Sequence, residues 1–422
     1  MPTDVLTDLE WRGLVALSTD RDALRAALTA APVTCYCGFD PSAPSLHVGN
    51  LVQILTLRRL QLAGHRPLAL VGGATGLIGD PKPTAERQLN ELEVVAGWVE
   101  RIRAQIQPYL RFEGDGAAMM VNNLDWTAAM SAIELLRDVG KHFRVNTMLA
   151  KEAVSARLES DSGINYTEFS YQVLQGNDFL ELYRRHGCTL QTGGSDQWGN
   201  LIAGSDLIRR AEGASVHLLA TPLITKSDGT KFGKTESGTI WLDPEMTSPY
   251  AFFQFWVNAD DRDVITYLKV FSFRSQAEIE ALADATAARP QAREAQRALA
   301  EELTLLVHGS DELARVLAAT EALFGSGDLR SLPAPSLAEA LGGAPSVELP
   351  VGEIPPLPAL LVQLGLCRST SDARGRVEQG GVYLNGERVA DPTYVPVIGD
   401  LLHDRYLVLR VGKRNYGLVT AG

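Results

Sequence analysis

Residues 33–50 of this 422-residue chain read VTCYCGFDPSAPSLHVGN, and they constrain its fold more than any other segment. The apolar, β-prone run Val33–Phe39 has the character of a buried strand, and Asp40-Pro41 and Ala43-Pro44 force a turn after it. His47-Val48-Gly49-Asn50 then opens a helical pattern carried by Leu51, Ile54, Leu55 and Leu57. Strand, turn and helix in so short a stretch is the unit from which parallel sheets are wound. A Gly beside a His at a helix start lets a ligand approach the backbone, where free N–H groups and the positive helix end favour an anion. A plain helix cap would use the same His, so this segment alone leaves both readings open.

The alternation continues. Pro67–Gly72 (PLALVG) precedes a Gly-rich loop, and Ala117–Val121 precedes Asn122-Asn123-Leu124-Asp125-Trp126. The patterns place helices over Leu89–Leu110, Ala128–Val139 and Gly199–Ala211. The expected class is α/β, a doubly wound parallel sheet with ligands at the carboxyl ends of its strands. No G-x-G-x-x-G follows a strand, which counts against a dinucleotide. Strand signals fade after Tyr250, and residues 331–358 are rich in Pro, Gly, Ala and Ser. An Asn385-Gly386 pair inside GGVYLNGE signals a hairpin near the end. The expected organisation is a catalytic domain over 1–223, a basic loop and helical domain over 224–328, a linker over 329–356 and a small α+β domain over 357–422.

The net charge of −12 argues against indiscriminate coating of nucleic acid. It is uneven, because Leu357 to the end carries 8 Lys+Arg against 6 Asp+Glu, or +2, leaving −14 for the rest. Cys35, Cys37, Cys188 and Cys367 lack C-x-x-C spacing, so reduced thiols in a cytoplasmic protein are expected. No apolar run reaches membrane-spanning length, and Met1-Pro2-Thr3-Asp4 is unlike a signal peptide.

Four further segments carry chemistry. Gly72-Gly73-Ala74-Thr75-Gly76-Leu77-Ile78-Gly79-Asp80 clears side chains from a strand end and sets a carboxylate beside it. On a helix, Tyr171, Leu174, Gln175 and Asp178 share one face, combining three polar groups with one Leu. Gly193-Gly194-Ser195-Asp196-Gln197 precedes a helix, where Asp196 could also be only a cap. Lys226 to Thr235 (KSDGTKFGKT) offers three lysines for a polyphosphate; Gly229 to Gly233 is one residue too short for a Walker loop.

Together these segments resemble the class I aminoacyl-tRNA synthetases. His47-Val48-Gly49-Asn50 is similar to their HIGH signature and Lys231-Phe232-Gly233-Lys234-Thr235 to their KMSKS loop. YCGFDPSAPSLHVGN and KFGKT look like the bacterial-type tyrosyl enzymes in particular. The likeness runs in order from Tyr36 to Thr235, continues through 247–256 and 260–263, and ends in a tail that looks like an S4-type RNA-binding domain. It implies a Rossmann-like catalytic domain in a homodimer that joins L-tyrosine to ATP and then to tRNA(Tyr). Mg²⁺ would arrive with ATP, with no protein-bound metal. Catalysis would fall to His47, Ser42, Lys231, Lys234 and Arg87. Tyrosine would be held by Tyr36 and Asp178 at the phenol, by Asp80, Tyr171, Gln175 and Asn123 at the ammonium, and by Gln197 near the carbonyl. ATP would meet Gly38, Asp40, Ser42, His47, Gly49, Asn50, Gly194, Asp196, Lys231, Phe232, Gly233, Lys234 and Thr235. Arg368, Arg374, Lys413 and Arg414 would contact tRNA.

The chain departs from the common pattern in having Asn50 for a second His and Ser42 for Thr. Its loop after Asp80 is one residue short, which leaves Lys82 without a matched role. Tryptophanyl enzymes share the implied fold, but Tyr36 with Asp178 and the KFGKT form speak against them. An RNA-binding descendant without aminoacylation would be expected to have lost His47 or the lysines, and both are present.

Overall fold

The computed structural model describes residues 4–82, 85–160, 163–227, 229–230, 232–235, 238–324, 327–413 and 415–422. Lys231, Arg414 and the side chains of Lys234 and Thr235 lie outside the described residues. The chain divides into two compact units, Met1–Thr247 with Val257–Leu299, and Ser248–Trp256 with Ala300–Gly422.

The first unit is built on β1 (Leu17–Ser18), β2 (Thr34–Phe39), β3 (Arg66–Val71), β4 (Met119–Asn122), β5 (Cys188–Gly194) and β6 (His217–Thr221). They form one sheet in the order β1-β6-β5-β2-β3-β4, parallel except for β1 against β6. From β2 the chain winds outward through β3 and β4, then returns to the other side of β2 as β5. The direction of winding therefore reverses between β2 and β5, and a crevice opens at their carboxyl ends. Helix Val48–Leu62 joins β2 to β3 and buries Leu51, Ile54, Leu55 and Leu57. Tyr36, Leu68, Leu70, Phe179, Leu190 and Leu218 are buried along the sheet. A short pair, β7 (Lys234–Thr235) and β8 (Gly238–Thr239), lies further along the chain.

Helix ends shift from the sequence expectation for local reasons. The expected Leu89–Leu110 helix runs Leu92–Ile106 and tightens into a 3-10 turn, Gln107–Tyr109, where Pro108 removes a donor. The expected Gly199–Ala211 helix runs Trp198–Glu212. The expected Ala128–Val139 helix is not continuous. Ser131 and Glu134 make a capping box that starts a new helix at Ala132, and residues Leu135–Val139 widen into a π turn.

The second unit holds β9 (Ser346–Leu349), β10 (Val382–Leu384), β11 (Glu387–Arg388), β12 (Tyr406–Val411) and β13 (Asn415–Ala421), in the order β11-β10-β12-β13-β9. Asn385 and Gly386 take φ of 50° and 87°, the left-handed pair that closes the expected two-residue hairpin. Residues 329–356, expected as a linker, contain helix Ala334–Ala340 and β9, which pairs parallel with β13 from Ser346↔Leu418 to Leu349↔Ala421. Val347 and Leu349 pack on the core of Leu357, Leu360, Leu407 and Val419, a use of apolar residues that Pro and Gly content concealed. The region 224–328, expected as one helical domain, is shared: Val264–Phe271 and Gln276–Ala288 belong to the first unit and Ser310–Phe324 to the second. Among the described residues no helix is long and apolar enough to cross a membrane.

Candidate active site

A cavity of about 1070 Å³ opens at the carboxyl ends of β2 and β5. Its wall brings together Tyr36, Gly38, Asp40, Ser42, His47, Gly49 and Asn50 from the first motif, with Asp80, Lys82 and Arg87 from the loop after β3. Tyr171, Gln175 and Asp178 reach it from helix Tyr166–His186, and Gly194, Asp196 and Gln197 from the end of β5. Phe232 also lines it, its ring 5.1 Å from that of Tyr267 and 5.4 Å from that of Phe271. Gly233 stands off the wall, its carbonyl accepting from the Ile240 amide at 2.9 Å.

The first motif folds as its residues dictate. His47 caps helix Val48–Leu62, its Nδ1 accepting from the Gly49 amide at 3.0 Å, while the Asn50 Oδ1 accepts from the His47 amide at 3.1 Å. An accepting Nδ1 leaves the proton of a neutral imidazole on Nε2. Asn50, expected as a donor to phosphate or ribose, commits its oxygen to this cap. Gly72 is required where β3 ends: a Cβ there would overlap the Asp40 carboxylate and the Thr75 hydroxyl.

One hydrogen-bonded chain underlies the inner end of the cavity. Asp178 accepts from the Trp126 indole at 2.9 Å on Oδ1 and from the Asn123 amide at 3.0 Å on Oδ2. Asn123 also donates to the Thr75 hydroxyl at 2.9 Å, and Thr75 donates to Asp40 at 2.7 Å. The Tyr171 hydroxyl donates to the other Asp40 oxygen at 2.7 Å. Asn123, expected to touch the substrate ammonium, is instead fully buried behind the wall, where it holds Asp178 and Thr75. Sequence reasoning misses Trp126, Thr75 and Gln191. Gln191 is the most legible of them, a polar side chain in a strand that otherwise buries apolar or small residues.

Burial pushes the Asp178 carboxyl up to about 7, against the two donors that favour its charged form. Burial likewise raises Asp40, and it raises the Tyr36 phenol with help from the nearby Asp178 charge. The Tyr36 hydroxyl, Gln175 Oε1 and Gln191 Oε1 are buried in this wall without a hydrogen-bond partner among the described residues. Buried polar atoms left open on a cavity wall call for a polar ligand.

Asp80 is held differently. Its Oδ1 accepts from Lys151 Nζ at 3.0 Å and Asn200 at 3.3 Å, and its Oδ2 from Gln197 at 3.2 Å. Lys151, unforeseen from sequence, is thus the cation beside the carboxylate expected to meet an ammonium. Arg87 donates from Nε to the Asp80 carbonyl at 2.7 Å. Among the described residues no group of three or more His, Cys, Asp or Glu is placed to hold a metal ion. In the second unit Arg368, Arg374 and Lys413 are exposed, on the loop before helix Thr370–Glu378, on that helix, and on the turn between β12 and β13.

Residues 28–325 match the family model described as tRNA synthetases class I (W and Y), and 336–419 match the tyrosine–tRNA ligase SYY-like C-terminal domain. The chain is 67% identical to the tyrosine–tRNA ligase of Streptomyces avermitilis over 418 residues, 99% of each chain. It is 65% identical to that of Streptomyces griseus, over 100% of this chain and 99% of the relative. Among solved structures, a C-terminally truncated mitochondrial tyrosyl-tRNA synthetase of Aspergillus nidulans is 30% identical with a TM-score of 0.69, covering 76% of this chain and 94% of that one. A tryptophanyl-tRNA synthetase of Encephalitozoon cuniculi, 15% identical with a TM-score of 0.54, shares the fold.

Proposed function

This chain belongs to the class I tRNA synthetases, among the tyrosine–tRNA ligases, and on that premise we propose how its own residues divide the work. The enzyme activates L-tyrosine with ATP to tyrosyl-adenylate, releasing diphosphate, then passes tyrosine to the terminal ribose of its tRNA. The observation that carries the assignment of parts is the open Tyr36 hydroxyl in the same wall as Asp178. Each Asp178 oxygen already accepts one bond and retains capacity for another, so a substrate phenol can donate to Asp178 and bond Tyr36. Phenylalanine would leave the Tyr36 hydroxyl unmet in a buried place.

At the other end of the amino acid, Asp80, Tyr171 and Gln175 surround the ammonium. Gln197 lies by the carboxylate, which attacks the α-phosphate in line. His47 and Ser42 donate to the phosphates as their charge grows, and Arg87, Lys231 and Lys234 take the departing diphosphate. Gly38, Asp40, Gly49, Asn50, Gly194, Asp196 and the 232–235 segment frame the nucleoside. No protein nucleophile takes part; positioning and charge stabilisation supply the rate. Asp40 is bonded to Thr75 and Tyr171 and Asp80 to Lys151 and Gln197; Mg²⁺ would enter as the companion of ATP.

A homodimer accords with exposed apolar side chains along residues 133–166: Ile133 is 69% exposed, Val145 60% and Tyr166 71%. The exposed cations Arg368, Arg374 and Lys413 support reading 357–422, with Arg414, as the RNA-facing domain, and the cavity residues support reading 1–223 as the adenylating one. A cytoplasmic location accords with four free cysteines. ATP–diphosphate exchange with tyrosine, phenylalanine and tryptophan tests the reading. Exchange confined to tyrosine is expected, and equal exchange with phenylalanine would overturn the phenol assignment.

A further inference from the structure

Arg157 and Glu168 form an ion pair whose two side chains are each only 1% exposed, and neither lines the cavity. Arg157 sits in helix Glu152–Leu158, and Glu168 in the first turn of Tyr166–His186. The guanidinium gives Nη1 and Nη2 to the two Glu168 oxygens at 3.3 and 3.2 Å and Nε to the Gly163 carbonyl at 2.9 Å. It also reaches outside the pair, from Nη1 to the carbonyls of Ala85 at 2.8 Å and Lys82 at 3.4 Å. Glu168 in turn accepts from the Arg87 main-chain amide at 3.0 Å. Helices are joined more cheaply by apolar side chains than by buried charges, whose desolvation rivals their attraction. What this pair adds is a grip on three backbone groups of the loop that carries Lys82 and Arg87 to the cavity.

The Arg87 side chain is held at a second point. Its Nε bonds the Asp80 carbonyl at 2.7 Å, and it crosses Gly79, where φ is +81° and a Cβ would stand 3.1 Å from Arg87 Cγ. With main chain and Nε both fixed, the far end of the guanidinium is aimed before ATP arrives.

We propose that Arg157 and Glu168 are positioning residues for diphosphate departure, acting through the backbone groups of Lys82, Ala85 and Arg87 to orient Arg87. This rests on the reading of Arg87 as a group that meets the leaving phosphates. The pair touches no substrate; its charge is spent on geometry, so its loss lowers the rate of the phosphate step rather than tyrosine binding.

The test is a double-mutant cycle on the full-length enzyme. Glu168→Gln keeps an oxygen acceptor and Arg157→Lys keeps a buried cation, so each loosens the grip without emptying the site. Each is expected to slow ATP–diphosphate exchange roughly tenfold to a hundredfold, the scale of a small misplacement of a reacting group. Tyrosine binding by equilibrium dialysis should be unchanged, and the KM for diphosphate should rise. Combined with Arg87→Ala, either change should add almost nothing. Full additivity, or tyrosine binding falling in step with exchange, would overturn the proposal while leaving Arg87's role intact. Unimpaired exchange in Arg87→Ala alone would sink the reading of Arg87 and the proposal with it. If Glu168→Gln does not yield folded protein by circular dichroism, Arg157→Lys carries the same cycle.

Discussion

Both sheets of this chain bury apolar residues, yet they present polar groups in opposite ways. In the first unit the winding reverses between β2 and β5, so loops from several strands converge on one crevice. Its polar side chains are bonded to one another there: Asp178 to Asn123 and Trp126, Asp40 to Thr75 and Tyr171, Asp80 to Lys151 and Gln197. In the second unit β10 to β11 and β12 to β13 are joined by tight turns, and Arg368, Arg374 and Lys413 stand on exposed helix and loop positions. A crevice makes each group depend on its neighbours, whereas an exposed surface lets each cation act nearly alone. Removing one group should therefore be severe in the first unit and mild in the second.

The largest effect is expected at the helix cap. His47→Ala removes a donor to charge that grows in the transition state, and kcat for exchange should fall about 10²–10³-fold with tyrosine binding little changed. If tyrosine affinity were the main casualty, the phosphate role would be wrong. Next come Asp178→Ala and Tyr36→Phe, read as the ratio of kcat/KM for tyrosine over phenylalanine. Each buried hydrogen bond removed is worth about 1–3 kcal/mol, so the ratio should shrink roughly tenfold to a hundredfold. Equal losses for both amino acids would erase the distinction between the phenol end and the phosphate end.

Smaller still should be the joint change Arg368→Ala, Arg374→Ala, Lys413→Ala. Exchange should persist while transfer to tRNA weakens, and the salt slope of tRNA binding should flatten by roughly 0.7–0.9 for every phosphate no longer neutralised. A matching loss of exchange would erase the contrast between the units. The smallest effect concerns pH. Asp178 holds its proton more tightly when folded, its carboxyl moving from 3.8 to about 7. The unfolded chain then binds fewer protons across that interval, so the ligand-free protein should lose stability as pH rises through it. Asp178→Asn should flatten this slope in thermal melts, leaving the part due to Asp40, which burial also raises. An unchanged slope would place the titration elsewhere.

Much of the first unit was legible because its signals are local. A strand, a Pro-marked turn and a capped helix all fall within 33–62, and the crevice follows from their repetition. What escaped the sequence was contact across distance. Asn123 reads as a candidate ligand until its side chain is found tied to Thr75, 48 residues away, and to Asp178, 55 away. Lys151 meets Asp80 across 71 residues, and nothing near either position announces the pairing. The stretch 329–356 misled for the converse reason. Its Pro and Gly mark turns around a helix and β9, and a strand as short as Ser346–Leu349 becomes visible only beside β13.

The chain of side chains from Trp126 through Asp178, Asn123, Thr75 and Asp40 to Tyr171 has one further consequence. It joins Asp178, assigned to the phenol, with Tyr171, assigned to the ammonium, so on that reading the gap between them is a fixed length, like a caliper locked at one setting. An amino acid with one methylene more or fewer would meet one jaw and miss the other. On that assignment the pocket would measure its substrate as well as read its functional groups, with a gauge made of residues that, like Asn123 and Trp126, stand behind the cavity wall.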